Sequence, residues 1–167
     1  SGNISGVTTL TLADVGGTAT FAGDVDVTTL AVDNTVANVA LNGNGSSVTN
    51  AISFANDGTL TLGTSGGTQT YNGGLTTTAV GGTVTLNGTI ATSDDAITLG
   101  AVTLGSATIV DTNSTTTNRA DITIAAVTGG NNALTLTTEN NVTGSDVTAS
   151  GNISGVTTLT LASVGGT

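Results

Sequence analysis

Two stretches of this sequence, 149 residues apart, are almost identical. Residues 1–18 read SGNISGVTTLTLADVGGT and residues 150–167 read SGNISGVTTLTLASVGGT, so that 17 of 18 positions match and Ser163 stands where the first copy has Asp14. Self-similarity at a fixed period is typical of solenoids and repeat arrays. We therefore interpret residues 1–149 as one long-period repeat unit and residues 150–167 as the start of the next.

Shorter motifs recur inside this unit. One has the form GGTxTΦxG, where Φ is apolar or aromatic, and it occurs at residues 16–23, 66–73 and 81–88. The other reads TLTL or close to it, at residues 9–12, 59–62, 96–99, 133–136 and 158–161. In both, Thr alternates with an apolar residue until Gly, Asn, Asp or Ser intervenes, which indicates strands with one buried face.

The alternation predicts which side chains form the core. The leucines of the TLTL-like segments should point inwards, and their threonines should point to solvent. The predicted core leucines are Leu10, Leu12, Leu60, Leu62, Leu86, Leu134, Leu136, Leu159 and Leu161. The exchange of Asp14 for Ser163 indicates that this position of the repeat faces solvent.

Composition favours one architecture over another. Hydrophobic residues make up 37% of the chain but aromatic residues only 2%, namely Phe21, Phe54 and Tyr71. A β-sandwich usually places several aromatic residues in its core, whereas the narrow interior of a β-helix fills with stacked aliphatic side chains. We predict an all-β fold with almost no α-helix, a right-handed parallel β-helix of roughly 20–25 residues per coil. Tandem small β-sandwiches are the alternative.

Several chemistries are excluded by missing residue types. The chain has no Cys, His, Met, Trp or Pro, and its formal net charge is −10 with a single cation, Arg119. Thiol and imidazole nucleophiles and zinc or haem ligation by these residues are therefore absent. The negative charge argues against nucleic acid as a partner, and no membrane insertion is predicted. We assign no catalytic, cofactor-binding or metal-binding residue and predict that the chain is not an enzyme.

Two acidic pairs are candidate sites. Asp24 and Asp26 flank one residue of a predicted strand and should point to the same side, while Asp94 and Asp95 lie in a predicted turn. A solvated outer surface explains both pairs better than paired catalytic carboxylates. The stretch from Asn56 to Gly58 reads as a turn rather than as calcium ligands, since neither an EF-hand loop nor a GGxGxD repeat is present.

Other polar features permit weaker hypotheses. Rows of Thr on a flat face order water in some β-helical antifreeze proteins, and the candidate pairs are Thr9/Thr11, Thr18/Thr20, Thr59/Thr61, Thr68/Thr70 and Thr83/Thr85. Six glycosylation sequons begin at Asn3, Asn44, Asn87, Asn113, Asn141 and Asn152, about the number expected by chance. Two Asn pairs, residues 131–132 and 140–141, indicate loops or polar ladders. Arg119 is expected to pair with Asp111, Asp121 or an acid of an adjacent coil, without a functional role.

Two segments carry a resemblance to a known group of proteins. The sequences GGTQTYNGGLTTTAVGGTVTLNG and ADITIAAVTGGNNALTLTT resemble the β-strand repeats of filamentous-haemagglutinin-like bacterial surface proteins. The resemblance implies a β-helical shaft in an exported fibre or giant adhesin, located outside the cell or at its surface. The implied role is mechanical or adhesive, and the implied partners are further copies of the repeat and cell-surface or matrix glycans. Two alternatives remain open: a surface-binding module for ice, glycan or mineral, and a subunit that polymerises end to end.

The repeat also carries a geometric expectation. If it is a true structural repeat, residues 1–18 and 150–167 should share one backbone conformation. They should be separated by close to a whole number of coil rises, about 30–40 Å at about 4.8 Å per coil, and neither end should carry a cap.

Overall fold

The computed structural model describes residues 2–112, 120–138 and 145–164, and these residues form a parallel β-solenoid. Every pairing between its strands is parallel, and none of the residues described is helical. The predicted β-helix is therefore confirmed. The alternative of small sandwiches is wrong, because hairpin-connected sandwich strands pair antiparallel.

The strands follow one another along a winding chain. They are β1 (Ile4–Leu12), β2 (Thr18–Phe21), β3 (Val25–Val32), β4 (Asn38–Leu41), β5 (Ser47–Val48), β6 (Ile52–Ser53), β7 (Leu60–Leu62), β8 (Thr68–Tyr71), β9 (Leu75–Thr76), β10 (Val84–Ala91), β11 (Ile97–Asp111), β12 (Ile122–Thr137), β13 (Val147–Ala149) and β14 (Ile153–Ala162). The longer strands bend around corners and so contribute to more than one side of the solenoid.

The pairings define three faces. Face A contains β2, β4, β7 and residues 84–86, 102–104, 127–128 and 153–154. Face B contains residues 4–7 and 25–27, β5, β8 and residues 88–91, 108–111, 134–137 and 159–162. Face C contains residues 9–12 and 29–32, β6, β9, residues 97–99 and 122–124, and β13. Partners on face A are 18 to 26 residues apart, which is the range of coil lengths.

Aliphatic columns fill the interior along each face. On face A, Leu60, Val84, Val102 and Val127 stack in successive coils, and each is less than 5% exposed. Burial of one such side chain contributes about 1.5–3 kcal/mol. Because every coil adds another layer to the same column, the core is continuous along the axis.

Six of the nine predicted core leucines are buried, namely Leu12, Leu60, Leu62, Leu86, Leu134 and Leu136, and Leu10 is partly buried. The prediction is wrong for Leu159 and Leu161, which are 44% and 59% exposed. Both point along the interior column of face B, above Leu134 and Leu136. They remain exposed because β14 pairs with β12 on one side only.

Glycines make the corner between faces A and B. Gly63 and Gly88 have φ of +80° and +65°, a conformation that favours glycine. A Cβ at Gly88 would also lie 2.4 Å from the carbonyl oxygen of Thr64 in the preceding coil. This corner therefore requires glycine both for its backbone conformation and for the close approach of neighbouring coils.

The two copies of the 18-residue segment have the same local structure on different faces. Their strands begin at equivalent positions, Ile4 and Ile153, and both copies have positive φ at the same glycine and at the exposed Asp14 or Ser163. Ile4 pairs with Val25 on face B, whereas Ile153 pairs with Val127 on face A. The expected whole number of coils is therefore wrong, because the copies lie one face out of phase.

Candidate functional site

The predicted acidic pair Asp24 and Asp26 links coils. Oδ1 of Asp24 accepts a hydrogen bond from the Gly45 backbone NH at 2.7 Å, and its Oδ2 accepts one from Nδ2 of Asn3 at 3.2 Å. Oδ1 of Asp26 accepts from the Ser47 backbone NH at 3.1 Å. Both carboxylates thus bind the next coil, in addition to lying at the partly exposed outer surface that the sequence predicted.

The second acidic pair lies at the corner between faces B and C. Asp94 has a φ of +68°, a conformation that short polar side chains tolerate better than most. Asp95 is exposed, and its carbonyl oxygen accepts a hydrogen bond from the Thr92 hydroxyl. The pair therefore belongs to a turn, as predicted.

Inward-pointing threonines close this same corner on three successive coils. Thr92, Thr112 and Thr138 follow paired residues of face B, and all three are buried. The Thr112 hydroxyl donates to the Ala120 carbonyl at 2.9 Å, and the Thr138 hydroxyl donates to the Ser145 carbonyl at 3.4 Å. Between the bonded positions lie residues 93–94, 113–119 and 139–144. The same type of hydrogen bond, from a threonine hydroxyl to a backbone carbonyl, therefore closes segments of different length.

Asn56 lies inside the solenoid rather than on a surface turn. Its side chain is fully buried, and its Nδ2 donates to the backbone carbonyls of Gly58 at 3.1 Å and Thr59 at 3.0 Å, with a longer contact to Ala37 at 3.4 Å. The turn predicted here is present as a bend at Asp57 and Gly58. Asn56 fixes that bend through its amide and is not placed to bind an external ligand.

A polar pair in the core was missed by the sequence interpretation. The Tyr71 hydroxyl donates to Oε1 of Gln69 at 2.8 Å, and Nε2 of Gln69 donates to the backbone carbonyls of Leu41 at 2.8 Å and Gly43 at 3.2 Å. Burial raises the pKa of the Tyr71 hydroxyl above its usual value. The alternation in TQTY places both side chains inside, and this was the available signal.

The outer surface carries three columns in which most side chains bear a hydroxyl group. Each column contains the outward residues of successive coils, spaced about 4.8 Å along the axis. On face A the column is Thr20, Ala40, Thr61, Thr85, Thr103, Thr128 and Ser154. On face B it is Thr68, Thr89, Ile109, Thr135 and Thr160. On face C it is Ser53, Thr76, Thr98, Thr123 and Thr148. We call these columns the outer hydroxyl ladders.

The Thr pairs predicted from the sequence are distributed among these faces. Thr18/Thr20, Thr59/Thr61 and Thr83/Thr85 lie on face A, Thr68/Thr70 lies on face B and Thr9/Thr11 lies on face C. On face A the wider two-residue rows are interrupted by Asn38 and by Ala101. The longest uninterrupted ladders are therefore single columns of five hydroxyls, on faces A and C.

The remaining polar candidates have ordinary surroundings. Among the sequons, Nδ2 of Asn87 donates to the Leu62 carbonyl at 3.4 Å, whereas Asn44 and Asn152 are exposed. Nδ2 of Asn132 donates to the Leu104 carbonyl at 2.9 Å, which links two coils. Arg119, Asn113 and the pair at residues 140–141 lie outside the described residues.

No family model, curated protein or solved structure matches this chain. Within residues 2–112, 120–138 and 145–164, no group of three or more His, Cys, Asp or Glu side chains is arranged to hold a metal ion. Nor does this part of the chain contain a helix able to cross a membrane. The outer hydroxyl ladders and the coil-to-coil pairing are the features from which a function can be argued.

Proposed function

We propose that this chain is a segment of a structural shaft, part of an extracellular fibre or giant surface adhesin built from tandem copies of the 149-residue unit. Its role is mechanical or adhesive and involves no catalysis. The observation that carries the proposal is the unbroken parallel pairing of face A, where seven strands from β2 to β14 stack without a break in the hydrogen-bonded column.

The energetics of this stack suit a rod. Each coil is held to the next by backbone hydrogen bonds on three faces and by contacts between aliphatic columns. In repeat proteins of this kind, stability is approximately a sum of coil and interface terms, so additional coils lengthen the structure without requiring a new core. A stiff spacer needs this property and needs neither disulfide bonds nor a metal ion.

Low charge supports the same role. Charged residues make up 7% of the chain, and like charges stacked directly opposite one another in neighbouring strands would be destabilising. The outward columns contain mostly Thr, Ser and Ala, which stack without this repulsion. The composition is therefore compatible with many stacked coils.

The length of tandem chains tests this proposal. We expect chains of two, four and six units to form rods of constant width in electron micrographs, lengthening by about 32 Å per unit, since each unit makes between six and seven coils of about 4.8 Å. Separate beads, or a length that does not grow in proportion to unit number, would contradict a shaft. A matched control chain carries Gly63→Val and Gly88→Val in every unit and should lose the rod form.

The outer hydroxyl ladders favour a second candidate function, a module that binds an ordered polar surface such as ice, glycan or mineral. Face C offers five stacked hydroxyls, from Ser53 to Thr148. Inhibition of ice recrystallisation and retention on glycan arrays test this candidate. Replacing Thr76, Thr98 and Thr123 with Val should abolish binding, while the same change at Thr68, Thr89 and Thr135 on face B, whose column is interrupted by Ile109, is the matched control. Equal effects of both variants, or no binding by the parent chain, would contradict a role for face C.

A further inference from the structure

We propose that successive 149-residue units are turned relative to one another by one third of a turn about the solenoid axis. Each unit would then present its surface to a different side of the rod. This inference rests on the proposed function, because it applies to a chain in which the units follow one another in one continuous solenoid.

The first argument is the phase of the two copies. One column of paired residues on face B runs from Asp26 through Ser47, Thr70, Ala91, Asp111 and Thr137 to Ala162. Ile4 pairs with Val25, the neighbour of Asp26, so the first copy begins on the face where the second copy ends. Ile153, the equivalent of Ile4, pairs with Val127 on face A.

The number of turns follows from the same pairings. On face B the strands β1, β3, β5, β8, β10, β11, β12 and β14 stack in this order. Residues 159–162 of β14 therefore lie seven coils above Ile4, and Ile153 lies one face before them. The 149-residue unit therefore makes six full turns and two further faces, which is one face short of seven full turns.

The second argument is that the segment has the same local path on either pair of faces. Gly6 and Gly155 have φ of +73° and +66°, and Asp14 and Ser163 have φ of +54° and +52°. Each copy passes around one corner and places its Leu-Thr-Leu run on the following face. The first copy thus forms the corner between faces B and C, and the second copy forms the corner between faces A and B. Because both corners accept this sequence, the segment does not force the next unit to begin on face B.

The third argument concerns what covers the first copy. Leu10 and Leu12 of β1 are covered by the next coil, in which Leu30 and Val32 of β3 pair with them. In a continuing chain, the equivalents of Leu30 and Val32 in the next unit would pack on Leu159 and Leu161 in the same way. These two leucines, the largest exposed apolar side chains of β14, would then become core residues.

The turn distributes each surface feature around the rod. The face C ladder from Ser53 to Thr148 would point to one side in the first unit and to the other two sides in the next units, and it would return to the first side after about 96 Å. A glycan would meet the same hydroxyl ladder from any direction. Over three units, no side of the shaft differs from the others.

Engineered disulfides test the phase in the 167-residue chain, which contains no cysteine of its own. Thr135 and Thr160 are paired on face B, so the variant Thr135→Cys/Thr160→Cys should cross-link under oxidation, since paired strands lie within disulfide distance. Thr11→Cys/Ala31→Cys on face C is the positive control. Thr148→Cys/Thr160→Cys should fail to cross-link, because Thr148 lies on face C, where Thr160 would stack on it only if the two copies were in phase. Cross-linking of the Thr148 pair with failure of the Thr135 pair would overturn the proposal.

A four-unit chain tests the consequence directly. We would place one Ala101→Cys substitution in each unit, at an exposed outward position of face A, and label it with gold for electron microscopy. Labels at three azimuths, repeating at the fourth unit, are expected. A straight row of labels along one side of a rod would overturn the one-third turn and leave the shaft intact. A chain that forms no rod would overturn both.

Discussion

The Tyr71 hydroxyl donates a 2.8 Å hydrogen bond to Oε1 of Gln69, and both side chains are almost completely shielded from solvent. The ring of Tyr71 also makes an edge-to-face contact with Phe54, with a centroid separation of 6.3 Å. Two of the three aromatic rings of the chain are thus packed together beside a polar pair in an otherwise aliphatic interior.

Removing the Tyr71 hydroxyl should destabilise the solenoid. Tyr71→Phe leaves Oε1 of Gln69 buried without its donor, and we expect the free energy of unfolding in urea to fall by about 1–3 kcal/mol. Gln69→Met should also destabilise the chain, because the Tyr71 hydroxyl then lacks its acceptor. A double-mutant cycle should give a coupling energy of about 1 kcal/mol. Additive effects would show that the bond contributes nothing.

Stability should fall at alkaline pH because of the same side chain. Burial raises the pKa of Tyr71 above its ordinary value of about 10. The neutral phenol therefore contributes stability that is fully present below pH about 10 and is lost as the pH rises towards the raised value. Since Tyr71 is the only tyrosine, tyrosinate absorbance near 295 nm reports it alone. It should appear together with the loss of β-sheet circular dichroism, and ionisation within a folded chain would contradict this expectation.

Alanine substitutions at three glycines distinguish the energetic cost of a positive-φ backbone from the cost of a steric clash. Gly88→Ala should destabilise most, because Gly88 has a φ of +65° and a Cβ would clash with the Thr64 carbonyl. Gly66→Ala should cost about 1–2 kcal/mol, since Gly66 has a positive φ but open space around it. Gly17→Ala, with open space and no positive φ, should be neutral or slightly stabilising. Urea unfolding of the three variants gives the order, and equal effects would contradict it.

Asn56→Asp should make stability depend on pH. The new carboxylate would face the carbonyl oxygens that now accept from Nδ2 of Asn56, so burial and repulsion would raise its pKa above about 3.9. Relative to the parent chain, the variant should be least destabilised below about pH 3.9, where the new carboxyl group is protonated in both the folded and the unfolded state. It should lose stability as the pH rises through the raised pKa. Asn34→Asp, at an exposed turn, is the matched control and should show no such loss. A constant difference between pH 3 and 8 would contradict the expectation.

Truncation of two leucines should give very different costs. Leu62 is completely buried, so Leu62→Ala should lower the free energy of unfolding by about 2–5 kcal/mol. Leu161 is 59% exposed, and Leu161→Ala should cost less than about 1 kcal/mol in the 167-residue chain. In a chain extended by a further unit, the cost of Leu161→Ala should rise towards that of Leu62→Ala. An unchanged cost after extension would show that no coil covers Leu161.

Local features of this fold could be predicted from the sequence because they depend on neighbouring residues. The alternation around Thr61 determines that Leu60 and Leu62 point inwards, and the pair Asn87–Gly88 indicates a corner. Which face a segment occupies could not be predicted, because this depends on the residues used by every preceding coil. Coils of 18 to 26 residues leave no fixed period from which to count. For this reason Thr9/Thr11 and Thr59/Thr61, alike in sequence, lie on different sides.

The burial of polar residues inside the solenoid could not be predicted from the sequence either. Asn56 and Gln69 satisfy backbone carbonyls at bends of the chain, and these bends exist only once the coils are stacked. The alternation in TQTY does place Gln69 inside, but hydrophobicity argues against burial of an amide. Positive φ at Asp14 was likewise not foreseen, although short polar residues tolerate this conformation.

The buried threonines at the corner between faces B and C have a consequence for how such a chain can change over time. The hydroxyl of Thr92 bonds across two intervening residues, whereas the hydroxyl of Thr112 bonds across seven. Because the bonded groups remain the same, sequence can be inserted or deleted between them without altering the strands on either side. Peptides could therefore be grafted at this corner without a change in the dimensions of the rod. Related chains could also differ here in segment length and in epitope.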